Sequence, residues 1–533
     1  YQAFKDTYKT RDRVIYAGAN DGFLHAFDAG SWDAVAVPPG FDEGTGDELF
    51  GFMPWTVRQA IKFQPVPSSA IEHYSVDGSP QAADVWFYPS SNTTAKKDDG
   101  SEWYTLLMGG LRQGGRSYYA LDVTDPSDAS YPAYLWEFPR EDDANDPTAY
   151  ATSHLPWMGQ TWSEPVITRV RMRVGNVADP TNGGRGYERW VAIVGAGYHT
   201  TGDPNHVDYD AGSGLGTSTA GRGIFMLDVK TGEVLWAAKY DPAELDTSKW
   251  SARMVYAFAA SPAVFDLDFD GYADVFYLGD LGGNMWKFVI KELGEDRAND
   301  GSGLVSQPNW IVKKFFSVPV ATQNSVDYYK SFFFRPSGAL VSGKLLLAFG
   351  SGERQNLTSL GDAGKDTENN RFYVVSDLDP FEKVVPPYAT VKETDLTDVT
   401  LNENCVAIAT RGYYFKGVDG EKFVGRSEIF AGTVFAVSYT PNPVFNPCEA
   451  GGGDSTLYAF DLRCGKGFFT DASGDPTRDL DLGVGFPTDP RISISPDGSS
   501  NRVYIEQSGA ELESYEAPET PPDFGLLYWR ELP

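Results

Sequence analysis

The most constraining feature of this sequence is a repeated unit in which a glycine-rich turn joins two short apolar runs. The turn carries glycine with aspartate or asparagine, and the second run closes on an aromatic residue or on Leu-Asp. Stretches that follow this plan lie at residues 13–29, 103–126, 190–236, 273–290, 344–380, 432–469 and 501–515. Two apolar runs around a tight turn are typical of β-hairpins, so the sequence predicts many short antiparallel strands.

Small sheets of this kind have apolar faces that one sheet cannot bury alone. Radial stacking of four-stranded sheets covers those faces and leaves only short edges. We therefore predict an all-β fold, a β-propeller of seven modified blades, with six or eight blades as the alternatives. Seven units in 533 residues leave about 76 residues for each, more than a blade needs, so long inserted loops are expected. No linker-like boundary is evident, and residues 1–533 are predicted to form a single β-propeller domain.

The charge of the chain excludes several classes of partner. Lys and Arg number 44 against 74 Asp and Glu, a net charge of −30, which repels nucleic acid and anionic lipid surfaces. We expect no nucleic-acid partner.

No stretch approaches the roughly 20 apolar residues that span a bilayer, so direct membrane insertion is not expected. The opening YQAFKDTYKTRDRV has neither an initiator Met nor a signal-peptide core, and the sequence is expected to be part of a longer or processed protein.

The strongest chemical motif is the acidic segment DLDFDGYAD at residues 266–274. The ligand order of a calcium loop is reproduced at positions one, three, five, six, seven and nine by Asp266, Asp268, Asp270, Gly271, Tyr272 and Asp274. Carboxylates this close repel one another unless a divalent cation neutralises them, and hard oxygen ligands suit calcium better than zinc. The sequence therefore predicts calcium as the cofactor, bound by the four aspartates and the carbonyl oxygen of Tyr272. A solvated acidic turn is the alternative.

The calcium loop predicted here is not an EF-hand. Position twelve is Tyr277, where an EF-hand has a bidentate glutamate. The flanking runs SPAVF and DVFYLGD are typical of strands rather than helices. We therefore expect a strand–loop–strand site.

The cysteines permit one disulfide. The chain has Cys405, Cys448 and Cys464, and the last two flank a glycine-rich turn followed by a strand-like run. A Cys448–Cys464 disulfide is one prediction, and three buried thiols are the alternative.

Motifs of hydrolytic enzymes and nucleotide sites are weak or missing in the sequence. It has no HExxH and no GxSxG, and the GxxxxGK match at residues 338–344 is followed by Leu345 instead of Ser or Thr, so a hairpin turn is the preferred interpretation. His199 and His206 lie in a loop with Asp203 and Asp208 and are a second metal candidate, with a solvated loop as the preferred interpretation. Trp157 and Trp162 are interpreted as core residues, with sugar stacking as the alternative.

Four segments resemble, in order, the C-terminal domain of the PilY family. They are VIYAGANDGFLHAFDA, MGGLRQGGRSYYALDVTDP, DLDFDGYADVFYLGDLGGNMWKF and the block that begins GYYFKGVDGEKFVGRSEIFAGTVFAVSYTPNP. Members of this family are type IV pilus biogenesis factors and tip-associated adhesins. Residues 471–533 match poorly and are expected to close the last blade. The sequence has no RGD tripeptide, so an integrin-directed role has no support in it.

The resemblance implies a modified β-propeller whose calcium loop controls pilus extension and retraction. It places the calcium ligands on the same five residues as the spacing argument: Asp266, Asp268, Asp270, Tyr272 and Asp274. The expected partners are minor pilins of the pilus tip complex and a surface or host ligand. The expected location is the surface of a Gram-negative bacterium, at the pilus tip and associated with the outer membrane.

The sequence thus predicts a non-enzymatic, calcium-binding component of the type IV pilus tip that supports assembly and adhesion. Two alternatives from other classes remain. Units that end in ALDVTDP or MLDVKTGEVLW are similar to the blades of quinoprotein dehydrogenases, so a propeller dehydrogenase is one alternative. A carbohydrate-binding scaffold is the other.

Overall fold

The structure is a computed structural model of the 533-residue chain. It describes residues 1–58, 74–89, 96–140, 154–172, 186–206, 208–210, 218–290, 310–323, 326–355, 357, 370–384, 387–442, 452–495, 500–508 and 512–519. Two compact units are present: the first is mainly Tyr1–Asp274 and Ile290–Val312, and the second is Val275–Val289 and Lys313–Leu532.

Helical structure is sparse. The α-helix α1 covers Gln2–Tyr8 and buries Phe4. Single 3₁₀ turns lie at Leu155–Trp157, Thr200–Gly202 and Glu393–Asp395. Among the described residues, no helix has the length and apolar character needed to cross a membrane.

The first unit is built from short strands. They are β1 (Val14–Gly18), β2 (Leu24–Asp28), β3 (Trp32–Asp33), β4 (Gly40–Phe41), β5 (Glu48–Phe52), β6 (Gln81–Trp86), β7 (Trp103–Gly110), β8 (Tyr118–Asp122), β9 (Ala133–Phe138), β10 (Val166–Met172), β11 (Tyr187–Gly195), β12 (Gly223–Asp228), β13 (Val234–Lys239) and β14 (Ala263–Phe265). Three antiparallel sheets have the orders β1-β2-β5, β6-β7-β8-β9 and β10-β11-β12-β13, and β3 pairs with β4.

The second unit continues the same plan. Its strands are β15 (Val275–Gly279), β16 (Asn284–Val289), β17 (Ile311–Ser317, from Lys313 onward), β18 (Ala321–Gln323), β19 (Val326–Tyr328), β20 (Ser337–Val341), β21 (Lys344–Gly350), β22 (Arg371–Asp377), β23 (Val391–Lys392), β24 (Thr397–Asp398), β25 (Gly412–Lys416), β26 (Lys422–Phe423), β27 (Glu428–Phe430), β28 (Thr433–Pro441), β29 (Gly453–Asp461), β30 (Phe469–Thr470), β31 (Pro476–Thr477), β32 (Asp479–Val484), β33 (Arg491–Ser493), β34 (Arg502–Ile505) and β35 (Glu513–Glu516).

The larger sheets of the second unit contain three to five strands. Neighbouring strands follow the orders β15-β16-β17-β23, β20-β21-β22-β25-β24, β26-β28-β29-β32 and β33-β34-β35, with β27 paired to β28. The pairs β18-β19 and β30-β31 are separate ribbons. The predicted all-β class is confirmed, and the number of seven blades stays a prediction.

The recurring aspartate at the end of the second strand has a structural role. In five units its side chain accepts a hydrogen bond from the backbone N–H two residues further on, at 2.8 to 3.1 Å: Asp28, Asp122, Asp228, Asp377 and Asp461. Such Asx turns end a strand and satisfy one backbone donor. The repeated aspartate at the end of these strands is therefore a strand-termination signal.

Each unit has its own apolar core. In the first, Met108, Trp136 and Phe225 belong to one buried cluster, and Trp157 packs against it. The indole Nε1 of Trp157 donates to the carbonyl oxygen of Tyr240 at 3.0 Å, which favours the core interpretation of this tryptophan. In the second unit, Phe372 and Phe460 are members of a cluster that joins neighbouring sheets.

The segment that matches GxxxxGK is a hairpin, as predicted. Strands β20 and β21 pair antiparallel, with Val341 opposite Lys344. The two residues between them, Ser342 and Gly343, have φ values of 51° and 79°, the conformation of a tight two-residue turn.

Candidate metal centre

The acidic loop follows β14 in the first unit and turns sharply at two positions. Phe269 and Gly271 have positive φ values of 62° and 87°. A Cβ at Gly271 would lie 2.1 Å from the Nη2 of Arg169, so a side chain there would displace this guanidinium group as well as strain the backbone. The backbone N–H of Asp274 donates to the carbonyl oxygen of Phe265 at 2.9 Å and closes the loop.

Three of the predicted carboxylates come together. Asp266, Asp268 and Asp274 each offer an oxygen atom, and these atoms all lie within 4.8 Å of one another. Backbone donors hold two of the side chains in place: Gly271 N–H donates to Asp266 Oδ2 at 2.7 Å, and Leu267 N–H donates to Asp274 Oδ2 at 2.6 Å. Within the described part of the chain, this is the one group of three or more side chains of metal-ligand type.

The electrostatics of this group favour a cation. Asp266 Oδ1 is buried and has no hydrogen-bond partner among the described residues. Burial raises the pKa of the Asp266 carboxyl. Burial also raises the pKa of Asp274 to about 7, and the neighbouring Asp268 and Asp266 carboxylates add to this rise while the Leu267 N–H opposes it. Crowded and partly buried carboxylates are costly without a counter-charge.

Asp270 does not join the three-aspartate group. Its Oδ1 accepts a hydrogen bond from the backbone N–H of Tyr272 at 2.9 Å, and its Oδ2 lies 3.9 Å from Arg171 Nη1. Asp270 therefore faces the positively charged guanidinium group of Arg171. Its role as a ligand stays a prediction, as does that of the Tyr272 carbonyl.

Two arginines of β10 support the loop. Arg169 Nε donates to the carbonyl oxygen of Gly271. The guanidinium carbons of Arg169 and Arg171 lie 4.9 and 4.1 Å from the centre of the Tyr272 ring, and the Tyr272 hydroxyl donates to Glu188 Oε2 at 2.8 Å. These contacts were not predicted from the sequence. The sequence feature that could have predicted them is the two-residue spacing of Arg169 and Arg171, which puts both side chains on one face of a strand.

The predicted Cys448–Cys464 disulfide was wrong in one of its two cysteines. Cys464 is bonded to Cys405, with Cα atoms 5.1 Å apart and a sequence separation of 59. Long-range contacts bring the two segments together: Gly467 N–H donates to the carbonyl oxygen of Glu403 at 3.0 Å, and Arg478 N–H donates to Glu403 Oε2 at 2.6 Å. Sequence proximity favoured Cys448, which lies outside the described residues.

The weak histidine candidate is not assembled into a metal group. His199 Nδ1 lies 2.8 Å from Thr201 Oγ1, and His206 Nδ1 lies 3.6 Å from Asp208 Oδ2. Asp203 instead accepts from the hydroxyl of Tyr198 at 3.0 Å. These side chains have local hydrogen-bonding roles.

Comparison with known proteins gives consistent results. The family model described as PilY1 beta-propeller domain matches residues 1–202. The type IV pilus biogenesis factor PilY1 of Pseudomonas aeruginosa strain PAO1 is 27% identical over 314 residues, which are 57% of this chain and 20% of that protein. A type IV pilus biogenesis factor PilY1 homolog of Xylella fastidiosa strain Temecula1 is 32% identical over 294 residues, 54% of this chain and 15% of that protein.

A solved structure has a similar fold over nearly the whole chain. The crystal structure of the P. aeruginosa PilY1 C-terminal domain matches with a TM-score of 0.61 and 20% sequence identity, and covers 97% of this chain and 96% of that one. The fold and the family model define an all-β protein of the β-propeller class. The chain is similar to PilY1 proteins over more than half of its length, and its first 202 residues match the PilY1 family model. It spans about a fifth or less of the length of the curated relatives named above.

Proposed function

We propose that this chain is a non-enzymatic, calcium-binding part of a type IV pilus biogenesis factor. Its relatives are named for that role, and the alignment with them covers more than half of this chain. In this proposal the chain acts at the pilus tip, where it supports pilus assembly, extension and retraction, and adhesion.

The observation that carries the calcium proposal is the buried, unpartnered Oδ1 of Asp266 within a group of three carboxylates. All the candidate ligand atoms are oxygens, which suits a hard divalent cation. Bound calcium would supply the positive charge that these side chains lack. Asp266, Asp268 and Asp274 would hold it, and Asp270 and the Tyr272 carbonyl are the further candidate ligands.

Side-chain contacts connect the acidic loop to strands β10 and β11. Arg169 and Arg171 connect the loop to β10, and Tyr272 connects it to Glu188 of β11. A cation that binds only the folded loop stabilises it by mass action. We infer that calcium occupancy fixes the position of the loop on this sheet, and that millimolar calcium outside the cell is sufficient to fill the site.

The partners and the location follow from the same proposal. The chain would work with minor pilins of the tip complex and with a surface or host ligand. It would lie at the surface of a Gram-negative cell, in association with the outer membrane.

The role is tested in the bacterium that encodes the full-length protein. Deletion of the gene should remove surface pili and twitching motility, and an Asp274→Asn variant should reproduce part of that loss at normal protein abundance. The matched control is Asp246→Asn, which changes the same charge at an exposed turn. Normal piliation after the deletion would refute the pilus role, and normal piliation in Asp274→Asn would refute the calcium part.

The dehydrogenase alternative has its own test. Purified protein with added pyrroloquinoline quinone and calcium should show no dye-linked alcohol oxidation above the protein-free rate. Turnover that requires both the protein and the quinone would overturn the non-enzymatic assignment.

A further inference from the structure

Glu188 of β11 joins three parts of the first unit through one carboxylate. Its side chain is only 8% exposed. Oε1 accepts hydrogen bonds from Lys96 Nζ at 2.6 Å and from Trp190 Nε1 at 3.2 Å, and Oε2 accepts one from the hydroxyl of Tyr272 at 2.8 Å. Lys96 lies between β6 and β7, and Tyr272 belongs to the acidic loop. The carboxylate therefore connects the candidate metal centre to a segment of another sheet.

The position of Glu188 follows from the pairing of β10 with β11. Arg171 lies opposite Glu188 in the antiparallel register, and Arg169 lies opposite Trp190. Cross-strand partners share a face of the sheet, and so do residues two apart on one strand, so these four side chains form one patch. Tyr272 lies on this patch, with the guanidinium carbons of Arg169 and Arg171 4.9 and 4.1 Å from its ring centre. The patch thus holds both the ring and the hydroxyl of Tyr272.

Lys96 supplies the counter-charge for Glu188. A carboxylate this buried is costly without a cation beside it. The Lys96 ammonium also lies 4.8 and 5.3 Å from the ring centres of Trp86 and Trp103, and such rings attract cations. Trp103 in turn packs edge-on against Trp190, with ring centres 5.7 Å apart. The side of the Glu188 carboxylate away from the acidic loop is therefore held by residues of β6, β7 and the segment between them.

We propose that Glu188 is a positioning residue of the calcium site and couples that site to Lys96. This inference rests on the calcium binding proposed above. Lys96 holds the Glu188 carboxylate, the carboxylate holds the Tyr272 hydroxyl, and a fixed Tyr272 keeps its backbone carbonyl, a candidate ligand, in place. Coupling between two sites is reciprocal. Loss of the Lys96 contact should therefore weaken calcium binding, and calcium should reduce local opening of the segment around Lys96.

The charge of Lys96 allows a test in which simple electrostatics predicts the opposite sign. Removal of a positive charge near an acidic loop should by itself favour calcium binding. The coupling predicts weaker binding for Lys96→Met, which removes the ammonium and keeps an apolar chain on the tryptophan rings. Lys97→Met is the matched control. Its lysine is next in the chain, has a side chain that is 59% exposed, and lies 3.8 Å from Glu102.

The experiment is calorimetric titration of calcium into the EDTA-stripped 533-residue chain and its variants. Tyr272→Phe, which removes only the hydroxyl bonded to Glu188, is the second variant. Its control is Tyr198→Phe, which removes a hydroxyl bonded to Asp203 at 3.0 Å. Hydrogen exchange at residues 96–103, with and without calcium, is the second readout. Urea unfolding of the calcium-free proteins checks that each variant is folded.

Calcium affinity should be about fivefold lower or more in Lys96→Met and Tyr272→Phe, and nearly unchanged in the two controls. Calcium should slow hydrogen exchange at residues 96–103 in the parent chain but not in Tyr272→Phe. Equal or tighter calcium binding in Lys96→Met would overturn the coupling and leave the calcium site standing, as would equal weakening in Lys97→Met. Absence of calcium binding to the parent chain would refute the calcium site itself, and the coupling with it.

Discussion

Arg169 Nε donates a hydrogen bond to the carbonyl oxygen of Gly271, at the tightest point of the acidic loop. The contact is possible because Gly271 has no side chain: a Cβ there would come within 2.1 Å of the same guanidinium group. The loop conformation, the identity of residue 271 and the position of β10 are therefore linked. The shape of the candidate metal centre depends on a residue about one hundred positions earlier in the chain.

Replacement of Gly271 by alanine should weaken calcium binding while the fold is retained. The new methyl group displaces Arg169, and the φ of 87° is unfavourable for alanine, so the loop must change shape. The matched control is Gly343→Ala, with a φ of 79° and nothing within 4 Å of the added Cβ. The control should cost about 1 to 2 kcal/mol of stability from the left-handed conformation alone and leave calcium affinity unchanged. Equal calcium affinity in both variants would contradict the role assigned to the Arg169 contact.

The four aspartates of the loop should differ in their contributions to calcium binding. Asp274→Asn should lower the affinity by about tenfold or more, because this side chain belongs to the convergent group. Asp270→Asn should have a smaller effect, because its carboxylate already faces Arg171 at 3.9 Å. Calorimetric titration of the two variants side by side measures the difference. A larger loss in Asp270→Asn would mean that Asp270 turns toward the ion when it binds.

The disulfide should stabilise the second unit. Closure of a 59-residue separation removes conformational freedom from the unfolded chain worth about 4 kcal/mol on the chain-entropy model. A Cys405→Ser/Cys464→Ser variant should therefore unfold at a lower denaturant concentration than the parent chain. Cys448→Ser, in which the 405–464 bond is intact, should unfold as the parent does. A large loss of stability in Cys448→Ser alone would contradict the assigned pairing.

His154 should make the first unit less stable in mild acid. Burial, aided by the nearby Lys239 ammonium, lowers the pKa of His154 to about 4. The unfolded chain, with an ordinary histidine pKa near 6.5, binds a proton first as the pH falls. The stabilising effect of the neutral, buried His154 is therefore complete above a pH of about 6.5 and is lost progressively as the pH approaches 4.

Urea unfolding at a series of pH values tests this prediction. A His154→Gln variant removes the titrating group and keeps an acceptor for Lys239 Nζ, which lies 3.3 Å from His154 Nδ1. The variant should lose less stability than the parent between pH 6.5 and 4. His206→Gln, at a partly exposed position, is the control and should follow the parent. Identical acid profiles for the parent and His154→Gln would show that other groups cause the loss.

Several features of this structure could be predicted from local sequence because local chemistry causes them. The Leu-Asp signature predicted strand ends, and Asp122 and Asp228 indeed terminate strands through hydrogen bonds to the next turn. The alternation of aspartates around Gly271 predicted a tight acidic loop, and the positive φ there agrees. Such signals act over a few residues and need no knowledge of tertiary contacts.

Other features depend on contacts between distant segments, which a single sequence does not reveal. The partner of Cys464 was one of these, because Cys405 reaches it through a loop held by Glu403 and Arg478. The orientation of Asp270 was another, since it is set by Arg171 on β10.

The most direct test of the calcium site is calcium titration into EDTA-stripped protein, followed by calorimetry, with an Asp266→Asn/Asp274→Asn variant in parallel. Asp241→Asn/Asp246→Asn is the control of equal charge. Saturable one-site calcium binding is expected in the parent and the control, and none in the loop variant. Equal calcium binding in all three proteins, or none in the parent, would contradict a calcium site in this loop.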